Sequence, residues 1–274
     1  MNILWCNGEW VDGGELSVSA KDRGLLHGLG VFETILAVDG RPIFAERHLE
    51  RFENAAVHLG WKVSVEGLVD AMAELLVKNQ MHQERARIRL AITAGEGALN
   101  DLRLGADAMI WMQCSPVGFP PEQQHVMVTE WKRNEKSPLV GLKSASYAEN
   151  LLALQDANQQ GFDEVLFFNT ADELCEGAMS NVFLVKDGKL MTPNLSSGCL
   201  PGVTRAVVID LAAELGLSPK ECSLRRSDLD QADELFMTSS TKGVVPVMLL
   251  GDRELHLGAV TSQLRVAWEK KIAR

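Results

Sequence analysis

The amino-acid sequence predicts an α/β fold of the mixed α+β type, divided into two domains. Stretches of β-branched and apolar residues alternate with amphipathic helical stretches along all 274 residues, which is the pattern of a mixed fold. A chain of this length suits one large or two modest domains. The stretch Ser115–Gln124 holds three prolines and a glycine, which indicates a linker. We therefore expect a smaller N-terminal α/β domain over residues 1–115, a linker over 116–124 and a larger C-terminal domain over 125–274.

The N-terminal half is predicted to contain strands and two helices. Asn7-Gly8 is a typical hairpin dipeptide, so Ile3–Val11 is predicted as a hairpin. Gly30–Val38 is a β-branched strand, with a return strand through Ile43–Phe44. Apolar residues on one helical face, followed by a glycine, predict a helix over Glu46–Leu59. The remaining predicted elements are a helix over Val65–Val77 and strands over Ala86–Ala94 and Ala108–Cys114.

The C-terminal half is predicted to alternate strands and helices more regularly. Glycines just beyond two amphipathic segments mark helix ends there. The predicted strands are Val126–Trp131, Glu164–Phe168, Asn181–Val185, Lys189–Thr192 and Glu234–Thr238, and the predicted helices are Tyr147–Gln160, Val203–Leu215 and Val260–Ile272.

Composition favours a small-molecule enzyme over other classes. Hydrophobic residues make up 46% of the chain, so a packed core is expected. The formal net charge is −10 and the basic residues are scattered, which argues against a nucleic-acid partner. The N-terminus lacks the pattern of a signal peptide, and no apolar run has the length of a membrane span. Five cysteines without a Cys-x-x-Cys pair indicate reduced thiols, so we expect a cytoplasmic protein with no membrane association.

Several familiar motifs are absent. Gly28-Leu29-Gly30 has Glu33 where a dinucleotide-binding fingerprint needs a third glycine, and no phosphate-binding loop ending in Gly-Lys occurs. The six histidines show no metalloprotease spacing, and His48 and His58 are interpreted as surface residues of a helix. We expect no metal site.

Two residues of the C-terminal half have side chains that suit the binding of a carbonyl cofactor. Most lysines are solvated surface charges, but Lys143 follows a strand, precedes a helix and lies close to the linker. Partial burial there would lower the pKa of its amine and make it nucleophilic. Glu176 lies just before a predicted strand. It is either an ordinary turn carboxylate or the partner of a protonated pyridine nitrogen.

Two further segments have the chemistry of phosphate binding. Leu200–Arg205 opens a predicted helix, whose N-terminal amides and the hydroxyl of Thr204 suit an anion; an ordinary capped helix is the equal alternative. Thr238–Thr241 places four hydroxyls after a strand, where they either cap the next segment or bind phosphate. Arg51 is either a surface residue or turned inward to a phosphate. An amine, a pyridine-binding carboxylate and phosphate donors are what pyridoxal 5′-phosphate (PLP) requires.

The order of these motifs resembles the fold-type IV, class IV PLP enzymes. That family includes branched-chain aminotransferases, D-amino-acid aminotransferases and 4-amino-4-deoxychorismate lyases. The resemblance extends over nearly the whole chain, including Asp22–Thr34 and His48–Phe52. It implies two α/β domains with the cofactor at their interface, and a homodimer in which a loop of the neighbouring subunit reaches the site.

The resemblance also implies roles for individual residues. Lys143 would form the Schiff base with PLP and move the proton between the substrate's Cα and the cofactor's C4′. Glu176 would hold the pyridine nitrogen and Tyr147 the 3-hydroxyl. The expected phosphate ligands are Arg51, Val203, Thr204 and Ser240, and the expected substrate-facing residues are His27, Phe32, Thr34, Arg89 and Thr241.

Departures from the family pattern leave the exact reaction open. Leu29 replaces a common aspartate, and Ala94 stands where D-amino-acid enzymes place a carboxylate-binding arginine. The stretches around Phe32 and Arg89 favour the lyases, whereas Leu200–Arg205 is common in aminotransferases. We expect an aminotransferase that moves an amino group from an amino acid or amine to a keto acid. The alternatives are a 4-amino-4-deoxychorismate lyase that forms p-aminobenzoate and pyruvate, and a non-catalytic PLP-binding protein.

Overall fold

The computed structural model describes residues 2–273 as two compact units. The first unit is the chain up to Phe119 together with Leu142–Tyr147, and the second is Pro120–Gly141 together with the chain from Ala148 onward. The passage from one unit to the other lies inside the expected linker. The expected division had instead placed residues 142–147, and so Lys143 and Tyr147, in the C-terminal domain. Backbone pairing of this segment with a strand of the first unit, described below, explains the difference.

The first unit contains a six-stranded sheet with two helices packed on it. Its strands lie in the order β2-β1-β6-β5-β3-β4, and each strand is antiparallel to its neighbours. The strands are β1 Leu4–Cys6, β2 Glu9–Val11, β3 Gly30–Val38, β4 Arg41–Pro42, β5 Arg85–Thr93 and β6 Ile110–Pro116. The helices are α1 Arg23–His27, α2 Ala45–His58 and α3 Leu68–Lys78.

The core of the first unit forms between this sheet and the apolar faces of α2 and α3. Spacings of three and four residues place Leu49, Phe52 and Ala56 on one face of α2, and all three are buried. They pack in one cluster with Ile35 of β3 and Ile88 of β5. This packing anchors β3, the strand that carries the candidate residues Phe32 and Thr34.

The second unit contains a mixed sheet of nine strands. Its order is β12-β11-β10-β13-β14-β7-β8-β9, with β15 paired to β14. The pairs β11–β12, β14–β7 and β7–β8 are parallel and the others are antiparallel. The strands are β7 Gln124–Arg133, β8 Glu164–Asn169, β9 Leu174–Gly177, β10 Asn181–Lys186, β11 Lys189–Pro193, β12 Lys220–Cys222, β13 Glu234–Ser239, β14 Gly243–Leu250 and β15 Arg253–Glu254.

Helices cover this second sheet, whose central strands β10, β13 and β14 are mostly apolar. They are α4 Ala148–Gln159, α5 Val203–Glu214, α6 Arg226–Asp230 and α7 Ala259–Ile272. Phe183 of β10 and Phe236 of β13 are fully buried and stack with ring centroids 4.9 Å apart. Within residues 2–273, no helix combines the length and apolarity that a membrane crossing requires.

Most predicted elements are confirmed within a few residues, and the differences have local causes. The return strand is Arg41–Pro42 rather than Ile43–Phe44, because Phe44 takes a left-handed conformation just before α2. β14 was not predicted, since Pro246 interrupts its apolar run and proline disfavours a central strand. In the structure β14 pairs with β7 only from Val247 onward, so the missing N–H of Pro246 breaks no bond to β7.

Candidate active site

Lys143 lies in a segment that runs along the start of β3 in the first unit. The N–H of Phe32 donates to the Lys143 carbonyl at 2.9 Å, and the N–H of Ala145 donates to the Gly30 carbonyl at 2.8 Å. On the other side of β3, a β-carbon at Gly30 would lie 2.6 Å from the carbonyl oxygen of Ile92 in β5. Glycine is therefore required where β3 and β5 lie this close together. The backbone of Lys143 is therefore fixed by strand-like pairing.

The side chain of Lys143 lies against two aromatic rings. Its amine is 4.5 Å from the ring centroid of Phe32 and 5.2 Å from that of Tyr147. The two rings meet edge to face, with centroids 5.2 Å apart and an angle of 79° between their planes. Aromatic faces attract a cation and restrict its position. The half-buried lysine is thus oriented by its surroundings, as a covalent catalyst needs to be.

Arg89 contributes a second cation to the same group. Its guanidinium carbon lies 3.3 Å from the ring centroid of Phe32, and Nη1 donates to the hydroxyl of Thr34 at 3.5 Å. Burial lowers the pKa of Arg89 to about 10, so the side chain stays protonated at neutral pH. Within residues 2–273, no carboxylate forms an ion pair with it. A partly desolvated cation of this kind is suited to an anionic group of a ligand.

Not every predicted substrate residue of the first unit joins this group. The structure brings together Phe32, Thr34 and Arg89 beside Lys143. His27, in contrast, is the exposed last residue of α1. No hydrogen bond, ion pair or ring contact among the described residues links His27 to the group.

Arg51 points inward, as one reading of the sequence predicts, and ends in a buried ion pair with Glu33. Its Nε donates to Oε1 of Glu33 at 2.8 Å and its Nη2 donates to Oε2 at 2.6 Å. His48 Nδ1 lies 2.7 Å from the same Oε2. The surface interpretation of His48 is wrong, because this histidine stands four residues before Phe52, on the apolar face of α2, and is 2% exposed. Glu33 thus orients Arg51 through two of its donors.

The protonation states of this cluster follow from burial and charge. Burial acts to raise the pKa of Glu33, but the adjacent Arg51 guanidinium and the His48 hydrogen bond outweigh it and hold the pKa at about 2. Burial lowers the pKa of His48 below its usual value, against the attraction of Glu33. The cluster is therefore a carboxylate balanced by one guanidinium, with a neutral histidine that donates from Nδ1.

Glu176 occupies β9 of the second unit, and its carboxylate is held by a backbone amide. The N–H of Leu200 donates to Glu176 Oε2 at 2.9 Å, and Arg133 Nε lies 3.8 Å from Oε1. Both side chains are largely buried, with 14% of Glu176 and 12% of Arg133 exposed. A donor and a nearby cation stabilise the ionised carboxylate. An ionised glutamate is the form that can accept a hydrogen bond from a protonated pyridine.

The N-terminus of α5 lacks a protein cap. Gly202 precedes the helix without a side-chain cap, and within the described residues the amides of Val203 and Thr204 have no acceptor. The N-terminus of α7 differs, because the carboxylate of Glu234 accepts from the amides of Val260 at 3.2 Å and Thr261 at 2.8 Å. Uncapped amides carry positive potential and suit phosphate. Of these two helices, only α5 retains that capacity.

The second unit also carries hydroxyl groups at the start of α5 and at or just after the end of β13. Thr204 is 3% exposed. Thr238 Oγ1 is buried and has no hydrogen-bond partner within residues 2–273. Thr238 pairs across the sheet with Asn181, whose amide oxygen lies against Gly202. Ser240 and Thr241 follow in the turn between β13 and β14 and are half-buried.

These residues fit the chemistry of PLP. The chain supplies an oriented amine at Lys143, an ionised carboxylate at Glu176 and an uncapped helix N-terminus at Thr204. Among residues 2–273, no cluster of three or more metal-binding side chains is placed to hold a metal ion.

Sequence reasoning missed three contributors to this arrangement. Glu33 and His48 orient Arg51, and Arg133 approaches Glu176. For His48 the position on an apolar helix face was an available signal. For Glu33 and Arg133 only the folded chain reveals the partner, because a charged residue in a strand has no periodic signature of its own.

The sequence resembles known proteins over almost its whole length. The sequence model of the family described as amino-transferase class IV matches residues 30–250. A putative branched-chain-amino-acid aminotransferase of Methanocaldococcus jannaschii is 34% identical over 96% of this chain and 93% of its own length. The aminodeoxychorismate lyase of Bacillus subtilis is 29% identical over 98% and 94%, respectively.

A solved structure agrees over the full length. An aminotransferase from Brucella abortus, bound to PLP, has a TM-score of 0.89 and 28% sequence identity, and the similarity covers 100% of this chain and 99% of that one. Since the family model matches most of the chain and the relatives align over almost all of it, the chain belongs to the class IV aminotransferase family.

Proposed function

We propose that this protein is a PLP-dependent aminotransferase that moves an amino group from an amino acid or amine to a keto acid. The observation that carries the proposal is Lys143, whose backbone is paired with β3 and whose amine is oriented by Phe32 and Tyr147. An ordinary surface lysine needs neither constraint. Membership of the class IV family supports the same reaction.

Each residue group has a defined task in this proposal. When bound, PLP supplies an electron sink for the substrate's α-carbon. Lys143 would bind the cofactor covalently until the substrate's amino group displaces it, and its released amine would then move a proton from the substrate's Cα to C4′. Glu176 accepts the pyridinium N–H and keeps that nitrogen protonated, while Tyr147 holds the 3-hydroxyl. The phosphate is bound by Arg51, by Val203 and Thr204 at the α5 N-terminus, and by Ser240.

The substrate is proposed to meet the residues around Phe32. Arg89 is the cation suited to a substrate carboxylate, and Thr34 orients the guanidinium through its hydroxyl. Phe32 offers an apolar surface beside the reacting centre. We also assign His27 and Thr241 to the substrate, on the family resemblance alone.

A lyase is the second candidate. The Bacillus subtilis relative is named aminodeoxychorismate lyase and aligns over almost the whole chain. Lys143 and the cofactor residues would serve both reactions, since elimination also begins with proton removal from Cα. The non-catalytic alternative leaves the orientation of Lys143 unexplained. We further propose a homodimer in the cytoplasm, where the substrates would be a small amino donor and a keto acid acceptor.

The visible spectrum of the purified protein tests the proposal. A protein loaded with PLP should be yellow, and single additions of L-leucine, D-alanine, L-glutamate or an (R)-arylamine should discharge the band in a transaminase. The donor that works identifies the substrate class. A band that no donor discharges, together with pyruvate release from aminodeoxychorismate, would support the lyase. Absence of any band after addition of PLP would contradict both.

A further inference from the structure

The turn that follows Glu176 is held by a buried carboxylate. Glu164 of β8 is 2% exposed. Its Oε1 accepts from the amide of Ala178 at 3.0 Å, and its Oε2 accepts from the amide of Met179 at 3.2 Å and the hydroxyl of Ser180 at 2.8 Å. Burial raises the pKa of Glu164, against the effect of these donors. One side chain thus bonds to three consecutive residues of the turn.

The same turn is fixed from two further directions. The N–H of Gly177 donates to the Ser180 carbonyl at 2.7 Å, which closes the turn. Asn150 of α4, itself buried, donates from Nδ2 to the Ala178 carbonyl at 2.6 Å. Such a turn has little freedom, so the two residues that flank it keep a constant spacing.

Those flanking residues, Glu176 and Asn181, both bind Leu200. The N–H of Leu200 donates to Glu176 Oε2 at 2.9 Å, and its carbonyl accepts from Asn181 Nδ2, also at 2.9 Å. Both polar groups of one peptide residue are therefore held by side chains on either side of a rigid turn. Leu200 precedes Pro201 and Gly202, and α5 begins at the next residue.

Asn181 also sets the path of the chain into α5. Its amide oxygen occupies the space that a β-carbon at Gly202 would need. Gly202 has φ of −65°, so the glycine is required by this contact and not by a left-handed backbone. Asn181 thus holds two of the three residues before α5, one by a hydrogen bond and one by close packing.

We propose that Asn181 is a positioning residue that sets the spacing between the Glu176 carboxylate and the N-terminus of α5. The inference rests on the proposed function, in which these two groups bind opposite ends of one PLP molecule. A fixed spacing lets the pyridine nitrogen and the phosphate bind together, whereas a loosened spacing lets each end bind alone with little benefit from the other.

Three ligands separate this role from a general structural one. The full-length apoprotein is titrated with PLP, with pyridoxal, which lacks the phosphate, and with inorganic phosphate. Asn181→Asp keeps the size of the side chain but replaces the donor to Leu200 with an oxygen. We expect PLP affinity to fall by at least roughly tenfold more than the combined losses for pyridoxal and phosphate, which is the equivalent of one hydrogen bond.

Asn169→Asp is the matched control. Asn169 is also a buried asparagine at a strand end, and its Nδ2 donates to the Ser197 carbonyl at 3.1 Å in the same connection before α5. It does not bind Leu200. We expect this variant to unfold at lower urea concentration than the wild type, with the ratio of PLP to pyridoxal affinity unchanged. If Asn181→Asp does not fold, Asn181→Ser is titrated in its place.

The outcomes are distinct. A loss of PLP affinity in the Asn181 variant that does not exceed the combined losses for pyridoxal and phosphate, or no loss at all, would overturn the positioning role. A change in the affinity ratio for Asn169→Asp would overturn it as well, because any disturbance of the loop would then suffice. Failure of the wild-type protein to bind PLP would instead refute the proposed function, on which the inference depends.

Discussion

Two largely buried glutamates, Glu33 in the first unit and Glu176 in the second, are held in opposite ways. Glu33 is 1% exposed, and its carboxylate is bound by the guanidinium of Arg51 and the ring of His48. Glu176 is 14% exposed and is bound by the neutral amide of Leu200, with the Arg133 guanidinium 3.8 Å away. The first carboxylate is neutralised by a direct ion pair, while the second is supported by a backbone dipole and a more distant cation.

This difference indicates that the Glu33 carboxylate serves mainly stability and the Glu176 carboxylate mainly the reaction. Removing one member of a buried ion pair leaves the other charge uncompensated, which costs about 3–5 kcal/mol of folding free energy. Removing a carboxylate that binds a backbone amide costs only the hydrogen bond and the desolvation of the amide, roughly 1–3 kcal/mol. We therefore expect changes at Glu33 to affect stability most, and changes at Glu176 to affect catalysis most.

The largest effect is expected at Lys143, on which the proposed chemistry depends. Lys143→Ala removes the covalent attachment and the proton carrier, so turnover should fall by at least about 10⁴-fold, the upper range for acid–base catalysis. PLP should still bind noncovalently through the other residues. Stopped-flow measurement of a single half-reaction gives the rate. Lys136→Ala, at an exposed position, is the control, and wild-type turnover in Lys143→Ala would remove this lysine from the mechanism.

Glu33→Gln should reduce stability more than any other single change in this comparison. It removes the carboxylate that pairs with the Arg51 guanidinium, which is 11% exposed, so unfolding free energy should fall by about 3–5 kcal/mol. Urea denaturation at neutral pH measures this loss. Asp230→Asn removes the exposed Arg226–Asp230 pair, 61% and 51% exposed, and should change stability by less than about 1 kcal/mol. Equal losses of unfolding free energy in Glu33→Gln and Asp230→Asn would contradict the expected difference between a buried and an exposed ion pair.

Acid should destabilise the first unit through the same cluster. The pKa of Glu33 is lowered from 4.5 to about 2 on folding, so its stabilisation is complete above pH 4.5 and is lost as pH falls towards 2. At 1.4 kcal/mol for each pH unit, this amounts to about 3 kcal/mol. The lowered pKa of His48 acts in the same direction and begins below its ordinary value of 6.5.

Urea titrations between pH 7 and 2 measure this dependence. Glu33→Gln should remove the acid-sensitive part below pH 4.5, and His48→Gln should remove the part that begins near pH 6.5. His58→Gln, at an exposed position on the same helix, is the control for His48. An unchanged acid limb in Glu33→Gln would show that other carboxylates control acid unfolding.

Glu176→Gln should affect the reaction far more than it affects folding. The neutral amide no longer stabilises a protonated pyridine, so the rate of proton transfer should fall by about 10²-fold, as for the loss of other preorganised electrostatic partners. PLP affinity should change by much less, because the phosphate ligands are intact. Rapid-mixing kinetics and a PLP titration separate the two quantities. An unchanged rate would refute the role of Glu176.

The smallest effect is expected at the phosphate end. Thr204→Val replaces the hydroxyl with a methyl group and should raise the dissociation constant for PLP by about tenfold, with no change for pyridoxal. Thr261→Val is the matched control, because Thr261 is also buried at a helix N-terminus but its helix is capped by Glu234. A similar loss of PLP affinity in both variants would argue against a phosphate site at α5.

Sequence reasoning found most helices and strands because they follow periodic patterns. β3, α2 and α5 each show an apolar face or run, with glycine at the boundary, so their limits were confirmed within a few residues. β14 was not predicted because Pro246 lies in its apolar run and proline disfavours a central strand. In the folded chain, pairing with β13 and β7 forms the strand despite the proline. His48 was misjudged because a polar residue on an apolar face has two readings, and only its buried partner decides between them.

The sequence by itself determined the classes of element, the order of the motifs and the inventory of reactive groups, because these depend on short-range periodicity and side-chain chemistry. Only the tertiary structure decided which of those groups meet. Lys143 pairs with a strand more than a hundred residues earlier, Glu33 binds the helix residue Arg51, and Glu176 and Asn181 meet at Leu200. Contacts between residues so far apart in the sequence form only when the whole chain packs around its core. Local sequence patterns therefore do not predict them.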